Sequence, residues 1–245
     1  MEQEHKLPKW IPLESNPELL NGFMKRMGVE EALQFHDVLG LDDELLQMVP
    51  QPCIAVCLLF PIAKLFALRA EKYKAHRCLS AAQVRQQSLL FVEQISDFGN
   101  ACGTIACVHI AGNLPVAKMP ANSPLAQFAA KHRGRPAHEV GLALAHTEAI
   151  HEASEAEAAS EAAQTEAPDR EDDVGAHFVA FIHIKGRLVE FDGTLPGPVD
   201  HGPCTAEGFL PTTAAVIRDE FMALDPENLN FNVTALVLDS EGTAS

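Results

Sequence analysis

Apolar residues along the chain follow two patterns, one typical of buried strands and one typical of helices. Apolar runs rich in β-branched and aromatic side chains predict strands at residues 53–60 and 231–238. Two further runs, at residues 177–184 and 187–192, flank the pair Lys185-Gly186 and predict an antiparallel hairpin. Such a hairpin places the start of its first strand beside the end of its second strand.

Helical patterns separate these strands. One predicted helix covers residues 17–27, with Ser15 or Asn16 as its cap. Another begins at Cys102 and is apolar enough to be largely buried. The remaining predicted helices are residues 124–131, 136–149 and 212–224. Helices followed by strands with hairpin connections indicate the α+β class, with a central antiparallel sheet flanked by helices.

Residues 148–173 differ in composition from the rest of the chain. They hold ten acidic residues against one arginine, and no large side chain follows His151. A helix of alanine and glutamate without an apolar face would have nothing to bury, so this segment is predicted to be a mobile surface loop. The alternative is an acidic linker between two domains.

The composition fits one folded domain over residues 1–245, because a chain of 245 residues with 47% apolar content can bury a sizeable core. No run of about eighteen apolar residues is present to span a bilayer, and the N-terminus lacks the apolar core of a signal peptide. The six cysteines include no Cys-x-x-Cys pair, which is typical of free thiols in a reducing compartment. A cytoplasmic or nuclear location is therefore expected.

The charge of the chain limits its partners. A net charge of −16 at pH 7 argues against nucleic acid and against anionic membranes, because both would be repelled. The acidity favours a partner with a basic surface.

The candidate chemistry centres on Cys102. This residue follows the turn-forming pair Gly99-Asn100 and opens the predicted buried helix, where unpaired N–H groups and the helix dipole favour a thiolate. The predicted hairpin makes His177 and Asp192 neighbours although they are fifteen positions apart. A histidine and an aspartate placed in this way can act as a general base and the group that orients it. Along the chain the three residues come in the order Cys, His, Asp, which is the order in papain-like enzymes.

A zinc site is the alternative use of the same helix, through Cys102, Cys107 and His109. However, Cys107 and His109 are two positions apart and would face different sides of the helix. No second cysteine or histidine pair has the spacing of zinc ligands. No metal and no cofactor are therefore expected.

Several segments match one family, in order, over nearly the whole chain. They are residues 10–18, 35–38, 43–46, 58–61, 100–104, 164–168, 177–178, 191–193, 201–202, 225–227 and 231–232. In these segments the chain resembles the ubiquitin carboxyl-terminal hydrolases, cysteine peptidases that cut after the terminal glycine of ubiquitin. The resemblance implies a papain-like fold with a knotted chain path.

The resemblance also implies roles for individual residues. Cys102 would be the nucleophile, His177 the general base and later acid, and Asp192 the residue that orients the imidazole. Gln94 is similar to the family's oxyanion-hole glutamine, which donates beside the backbone N–H of the nucleophile. Loss of one such donor costs about 2.7–4 kcal/mol of transition-state stabilisation.

The chain departs from the family pattern near Gln94. The family places this glutamine two residues nearer the cysteine, so the chain carries extra residues around Asp97-Phe98. If these residues bulge out of the loop, Gln94 keeps its role. If they shift the start of the helix, the oxyanion donor is lost.

The substrate that the resemblance implies is ubiquitin, whose C-terminal tail carries arginines just before its two glycines. Candidate contacts for that tail are Glu14, Glu18 and Asp37, which could instead act only as solubilising or helix-start acids. Residues 148–173 would correspond to the family's crossover loop, which arches over the active site and limits the size of the adduct.

The implied activity is hydrolysis of esters, thioesters and amides at the C-terminal glycine of ubiquitin, on small adducts or precursors. Two alternatives remain at this point. One is a ubiquitin-like modifier as the substrate, and the other is a catalytically weak ubiquitin-binding protein on the same fold.

Overall fold

A six-stranded antiparallel sheet forms the centre of the fold. The computed structural model describes residues 9–73, 78–114, 119–163 and 174–239. The strands are β1 Leu33–Asp37, β2 Cys53–Pro61, β3 Ala176–Ile184, β4 Arg187–Phe191, β5 Val199–Pro203 and β6 Asn232–Leu238. They lie in the order β1, β6, β2, β3, β4, β5, and neighbours pair antiparallel.

Helices lie on both faces of this sheet. Their bounds are α1 Pro17–Arg26, α2 Asp43–Leu46, α3 Ile62–Tyr73, α4 Ala81–Gln87, α5 Cys102–Asn113, α6 Pro124–His132, α7 Ala137–Ala145, α8 Glu148–Ala158 and α9 Phe209–Glu220. The predicted α+β class with a central antiparallel sheet flanked by helices is confirmed. The knotted chain path and the single domain over residues 1–245 stay predictions. No helix in the described ranges is both long and apolar enough to cross a membrane.

Strand β3 separates two hydrophobic cores. Its side chains alternate between the faces of the sheet. Phe178 and Ala180 belong to the core that contains most of α5, whereas Val179 and Phe181 belong to the core that contains α9. Because both faces of β3 are buried, its sequence is an almost continuous apolar run, and this run is what made the strand predictable.

The hairpin of β3 and β4 has the predicted form. Ile184 pairs with Arg187, and the two residues between them both have positive φ, 50° at Lys185 and 77° at Gly186. This is the conformation of a two-residue turn whose twist matches that of the flanking strands.

Strands β1 and β5, which were absent from the predicted elements, are the two edges of the sheet. Each has five residues and at least two side chains that are only half-buried or exposed. An edge strand is covered less completely than a central one, so it lacks the continuous apolar run on which the prediction of the other strands relied.

Helix α1 begins where it was predicted, and the structure selects its cap. The Asn16 side chain accepts a hydrogen bond from the Glu18 N–H at 2.9 Å. The Ser15 hydroxyl instead donates to Asn232 Oδ1 at 2.6 Å. Asn16 is therefore the N-cap.

The helix predicted over residues 136–149 is wrong in its length, because the chain forms two helices there. Helix α7 ends at Ala145, and α8 begins at Glu148. Thr147 has a ψ of 85°, outside the helical region, and its hydroxyl donates back to the Ala143 carbonyl at 2.7 Å. The helix predicted over residues 212–224 begins earlier, at Phe209, and its last turn is a 3₁₀ turn over Met222–Leu224.

The expectation of a loop over residues 148–173 is also wrong for its first part, which forms α8. This helix does have a buried face, made of small side chains and one isoleucine: Ile150, Ala153, Ser154 and Ala158. Glu157, on the same face, forms an ion pair with Arg26 of α1. Residues 159–163 form turns and bends without regular structure, and residues 164–173 lie outside the described residues.

Candidate active site

Cys102 is the first residue of α5, as predicted, and every residue of that helix is buried. Burial alone would raise the pKa of the Cys102 thiol. The hydrogen bond and positive charge of His177, together with hydrogen bonds from the backbone N–H groups of Phe178 and Gly103, act in the opposite direction. The net result is a pKa below the ordinary value, so the thiolate is favoured.

His177 and Asp192 are joined by a hydrogen bond, and they are neighbours as predicted from the hairpin. His177 Nε2 lies 2.8 Å from Asp192 Oδ1, and both side chains are almost completely buried. Because Asp192 occupies Nε2, the hydrogen bond between the imidazole and the Cys102 sulfur involves Nδ1. The ring of Phe60 lies edge-on to the imidazole, with 5.7 Å between the centroids.

The His177 imidazole is favoured in its protonated form. Burial lowers its pKa, but the carboxylate of Asp192 and the thiolate of Cys102 raise it to about 10. The pKa of Asp192 lies well below its usual range, since the opposing effect of burial is exceeded by the charge and hydrogen bond of His177. The site therefore places a thiol of lowered pKa, an imidazole that is favoured in its protonated form and a carboxylate in a row.

Thr194 fixes the carboxylate and was missed at the sequence level. Its N–H and its hydroxyl both donate to Asp192 Oδ1, at 3.0 Å and 2.6 Å. The signal was present in the sequence as Asp-Gly-Thr, because aspartate side chains commonly accept from the backbone two positions later.

The packing of α5 against β3 brings the thiol to the imidazole. Gly103, directly after the thiol, faces the Phe178 ring so closely that a Cβ there would lie 3.3 Å from it. His177 is next to Phe178 at the start of β3 and pairs with Phe60 of β2. The start of the helix thereby meets the start of the strand.

A cavity of about 180 Å³ opens at Cys102. It is mostly apolar and is lined by Pro12, Leu13, Glu14, Ser15, Leu19, Leu59, Asn100, Cys102, Ala158, Ala163, Val174, Ala176 and Phe178. The end of α8 and the residues on either side of segment 164–173 therefore line the space in front of the thiol. This is the position in which the resemblance places the crossover loop.

Gln94 lies beside the residue that follows Asp192. Its N–H donates to the Gly193 carbonyl at 2.8 Å, and its side-chain Oε1 is buried without a hydrogen-bond partner among the described residues. The extra residues form a 3₁₀ turn over Ser96–Phe98, in which Phe98 is fully buried and Asp97 is exposed. Helix α5 still begins at Cys102, the predicted start. The role of Gln94 as an oxyanion donor stays a prediction.

The three acids proposed to contact the tail are not brought together at one place. Glu14 lines the cavity at Cys102, whereas Glu18 is exposed in the first turn of α1. Asp37 ends β1 and lines a separate groove of about 910 Å³ beside Leu39 and Leu229. Of the three acids, Glu14 is therefore the one placed beside the thiol.

All six cysteines are free thiols. Burial raises the pKa of Cys53 and of Cys107 to about 12, in contrast to the lowered value of Cys102. Within the described residues, no group of three or more His, Cys, Asp or Glu side chains is arranged to hold a metal ion.

Such a site defines a class of protein. A thiolate at a helix start, hydrogen-bonded to an imidazole that is oriented by a carboxylate, is equipped for nucleophilic attack on an acyl carbon. The fold and the site are those of a cysteine hydrolase. The family model described as ubiquitin carboxyl-terminal hydrolase, family 1, matches residues 10–223, and the chain belongs to this family. The predicted resemblance is confirmed.

Relatives from distant organisms support the same assignment. The chain is 38% identical to a ubiquitin carboxyl-terminal hydrolase of Aplysia californica over 221 residues, which cover 89% of this chain and 97% of the relative. It is 36% identical to a probable ubiquitin carboxyl-terminal hydrolase of Dictyostelium discoideum over 230 residues, 93% of this chain and 88% of the relative.

The fold is also similar to that of a solved structure. The catalytic domain of UCH37 from Trichinella spiralis, bound to ubiquitin vinyl methyl ester, matches with a TM-score of 0.73. The match covers 96% of this chain and 97% of that domain, at 19% identity. At this identity the likeness concerns the fold.

Proposed function

We propose that this protein is a cysteine-dependent deubiquitinase that hydrolyses esters, thioesters and amides at the C-terminal glycine of ubiquitin. The observation that carries the proposal is the continuous chain of hydrogen bonds from Cys102 through His177 to Asp192, in a chain of this family. Relatives in the family bear the name ubiquitin carboxyl-terminal hydrolase, and one solved neighbour holds a ubiquitin derivative.

The first half of the reaction forms a thioester. The Cys102 sulfur attacks the carbonyl carbon of the last glycine of ubiquitin, and the negative charge moves to the carbonyl oxygen. The Cys102 N–H and the Gln94 carboxamide are the proposed donors to this oxyanion. The His177 imidazolium then gives its proton to the leaving amine, alcohol or thiol as the bond to carbon breaks.

The second half hydrolyses the thioester. His177, now neutral, takes a proton from a water molecule, which attacks the same carbonyl carbon. The sulfur of Cys102 leaves as a thiolate, and ubiquitin is released with a free carboxylate. Asp192 keeps the imidazole in one orientation and stabilises its protonated form in both halves.

The cavity in front of Cys102 supports the proposal that a narrow, flexible segment of the substrate enters the site. Its walls are mostly apolar and include the small residues Ala158, Ala163 and Ala176, and its volume of about 180 Å³ suits a glycine-containing tail. Glu14 at its wall is the candidate partner for an arginine of the tail.

Release of a fluorophore from a ubiquitin C-terminal adduct tests the proposal, with Cys102→Ala as the control and an adduct of a ubiquitin-like modifier alongside. Turnover of the ubiquitin adduct that is lost in Cys102→Ala supports it. Faster turnover of the modifier adduct would mean that the ubiquitin-like modifier, and not ubiquitin, is the preferred substrate. Tight binding of ubiquitin without turnover would contradict hydrolysis and indicate a binding protein on this fold.

A cytoplasmic location, with entry into the nucleus, is proposed from the cysteines. Six free thiols without a disulfide suit a reducing compartment. Fractionation of cells that express the tagged chain tests this, and recovery in the secreted fraction would contradict it.

A further inference from the structure

The segment that carries Gln94 obtains its hydrogen bonds from side chains of α5. Residues 89–94 belong to neither a helix nor the sheet, so their buried backbone groups need partners elsewhere. Asn113 Oδ1 accepts from the Leu90 N–H, and Asn113 Nδ2 donates to the Leu90 carbonyl, both at 2.8 Å. His109 Nε2 accepts from the Val92 N–H at 2.9 Å.

These two side chains share one side of α5 with the thiol. His109 and Asn113 are four positions apart, so they project from the same face, and Asn113 Nδ2 also donates to the His109 carbonyl at 2.8 Å. Cys102 precedes His109 by seven positions, nearly two turns at about 3.6 residues per turn. One helix therefore carries both the nucleophile and the groups that hold the segment ending at Gln94.

The opposite side of the segment is enclosed as well. The Glu93 N–H donates to the Ala137 carbonyl at 3.2 Å, and the Gln94 N–H donates to the Gly193 carbonyl at 2.8 Å. Gly141 of α7 lies against the segment, where a Cβ would be only 2.3 Å from the Glu93 carbonyl oxygen. The backbone is thus fitted between α5, α7 and the residue after Asp192.

His109 is suited to accept a hydrogen bond at all physiological pH values. It is fully buried and lies parallel to the Phe91 ring, with centroids 5.3 Å apart. Burial lowers the pKa of His109 to about 3, against the opposing effect of Asp192 and the contact with Val92. The imidazole is therefore neutral, and because Nε2 accepts, Nδ1 carries the proton.

This histidine is costly as a packing residue. Its Nδ1 is buried and has no hydrogen-bond partner among the described residues. A buried donor without a partner is unfavourable, and an apolar side chain would fill the same space without that cost. What the imidazole provides and an apolar residue does not is the acceptor for Val92, two positions before Gln94.

We propose that His109 and Asn113 are positioning residues that set the register of residues 89–94, so that the Gln94 carboxamide faces the acyl group bound at Cys102. The inference rests on the proposed function and on the oxyanion role of Gln94. The two side chains take no part in bond making, and they act through the backbone of Leu90 and Val92.

The matched pair His109→Gln and His109→Asn tests the inference. Glutamine places an amide oxygen near the position of Nε2, whereas asparagine is one methylene shorter and does not reach the Val92 N–H. For a ubiquitin C-terminal fluorophore adduct, we expect kcat of His109→Gln to stay within about threefold of the unsubstituted chain. We expect His109→Asn to lose about 10- to 100-fold in kcat, with KM changed less than about twofold, because a transition-state donor is displaced.

The same pair in a Gln94→Ala background separates positioning from general damage. There the displaced donor is already absent, so His109→Asn is expected to cost less than about threefold. Val108→Ala, on the same helix and fully buried, is the control for loss of packing, because it removes no acceptor. Its kcat per folded molecule is expected to be unchanged.

If thermal unfolding shows that His109→Asn does not fold, Asn113→Ala replaces it, with an expected loss of about 3- to 10-fold in kcat that disappears in the Gln94→Ala background. Equal kcat for the glutamine and asparagine variants, or equal losses in both backgrounds, would overturn the inference alone. Absence of turnover in the unsubstituted chain, with ubiquitin still bound, would overturn the proposed function and the inference together.

Discussion

Helices α5 and α8 meet beside the active-site cavity, yet they differ in almost every property that a sequence displays. The Thr104 hydroxyl of α5 and the Ser154 hydroxyl of α8 lie 2.7 Å apart, and both are buried. Helix α5 is mostly apolar and completely buried, including its polar residues Thr104, His109 and Asn113. Helix α8 is rich in glutamate and buries a narrow stripe that includes Ala153 and Glu157.

The difference shows which buried helices can be predicted from the sequence and which cannot. Large apolar side chains have few uses outside a core, so a helix made of them is predicted correctly without knowledge of its neighbours. Alanine and serine suit the surface and the interior equally well. The burial of α8 becomes visible only once its neighbours are in place. Arg26 of α1 pairs with Glu157, and the side-chain amide of Asn16, the N-cap of α1, donates to the Ala162 carbonyl just after α8 at 3.1 Å.

The region around α5 should be sensitive to charge, and we expect the largest effect from Asp192→Asn. This change removes the charge that stabilises the imidazolium, and it replaces the carboxylate that is hydrogen-bonded to His177 Nε2 by an amide. We expect kcat to fall by about 10²- to 10⁴-fold, as for carboxylates in other triads. The control is Asp200→Asn, whose carboxylate pairs with Arg187 at 2.7 Å on the surface, and its kcat should stay within about twofold.

The pH profile of the same variant makes this test specific. In the unsubstituted chain, activity should rise with pH as Cys102 ionises at its lowered pKa, and fall as His177 loses its proton at a pKa of about 10. Without the Asp192 charge, the pKa of His177 falls and that of Cys102 rises, so the two limbs of the profile should move toward each other. Unchanged limbs would contradict the ion-pair description.

The region around α8 should instead be sensitive to volume. Ala153 lies on its buried face, and Ala156 lies on its exposed face. Ala153→Leu should destabilise the protein by about 1–3 kcal/mol, because a packed interface has no room for the larger side chain. Ala156→Leu should change stability by less than about 0.5 kcal/mol. Urea unfolding measures both, and equal effects would mean that this segment is the loop that its composition suggested.

The contact between the two helices gives a smaller effect. Ser154→Ala leaves the buried Thr104 hydroxyl without its partner, and we expect a loss of about 1 kcal/mol. Thr104→Val in addition should recover most of this loss, since no unpaired hydroxyl then remains. A double-mutant cycle without coupling would mean that the two hydroxyls do not interact in solution.

The smallest effect is expected at the acidic wall of the cavity. Glu14→Gln should raise KM for the ubiquitin adduct by about two- to fivefold without changing kcat, because a contact of a partly exposed charge is weak. The effect should shrink at high salt. Glu31→Gln, far from the cavity and paired with Lys25, is the matched control. The same increase in both variants would show a general effect of charge and no specific contact.

Much of the site could be predicted from the sequence, because its chemistry depends on local signals. The Gly99-Asn100 turn before Cys102 indicated the helix start, and the two apolar runs around Lys185-Gly186 indicated the hairpin that joins His177 to Asp192. The family resemblance supplied the roles. None of these inferences required knowledge of distant contacts.

The features that were missed depend on partners far away in the chain. Strands β1 and β5 are edges, and their identity depends on β6 and β4, with which they pair. The buried face of α8 depends on α1 and α5. The role that we propose for His109 was hidden for the same reason, since its partner Val92 lies in a segment without regular structure.

The most direct test of the account is reaction of the unsubstituted chain with ubiquitin vinyl methyl ester, followed by intact mass measurement and peptide mapping. The electrophile presents the C-terminus of ubiquitin to the thiol that attacks it. We predict one ubiquitin per chain, attached at Cys102 among the six cysteines, and no adduct in Cys102→Ser. Attachment at another cysteine, or no attachment although ubiquitin binds, would contradict the assignment of Cys102 as an activated nucleophile.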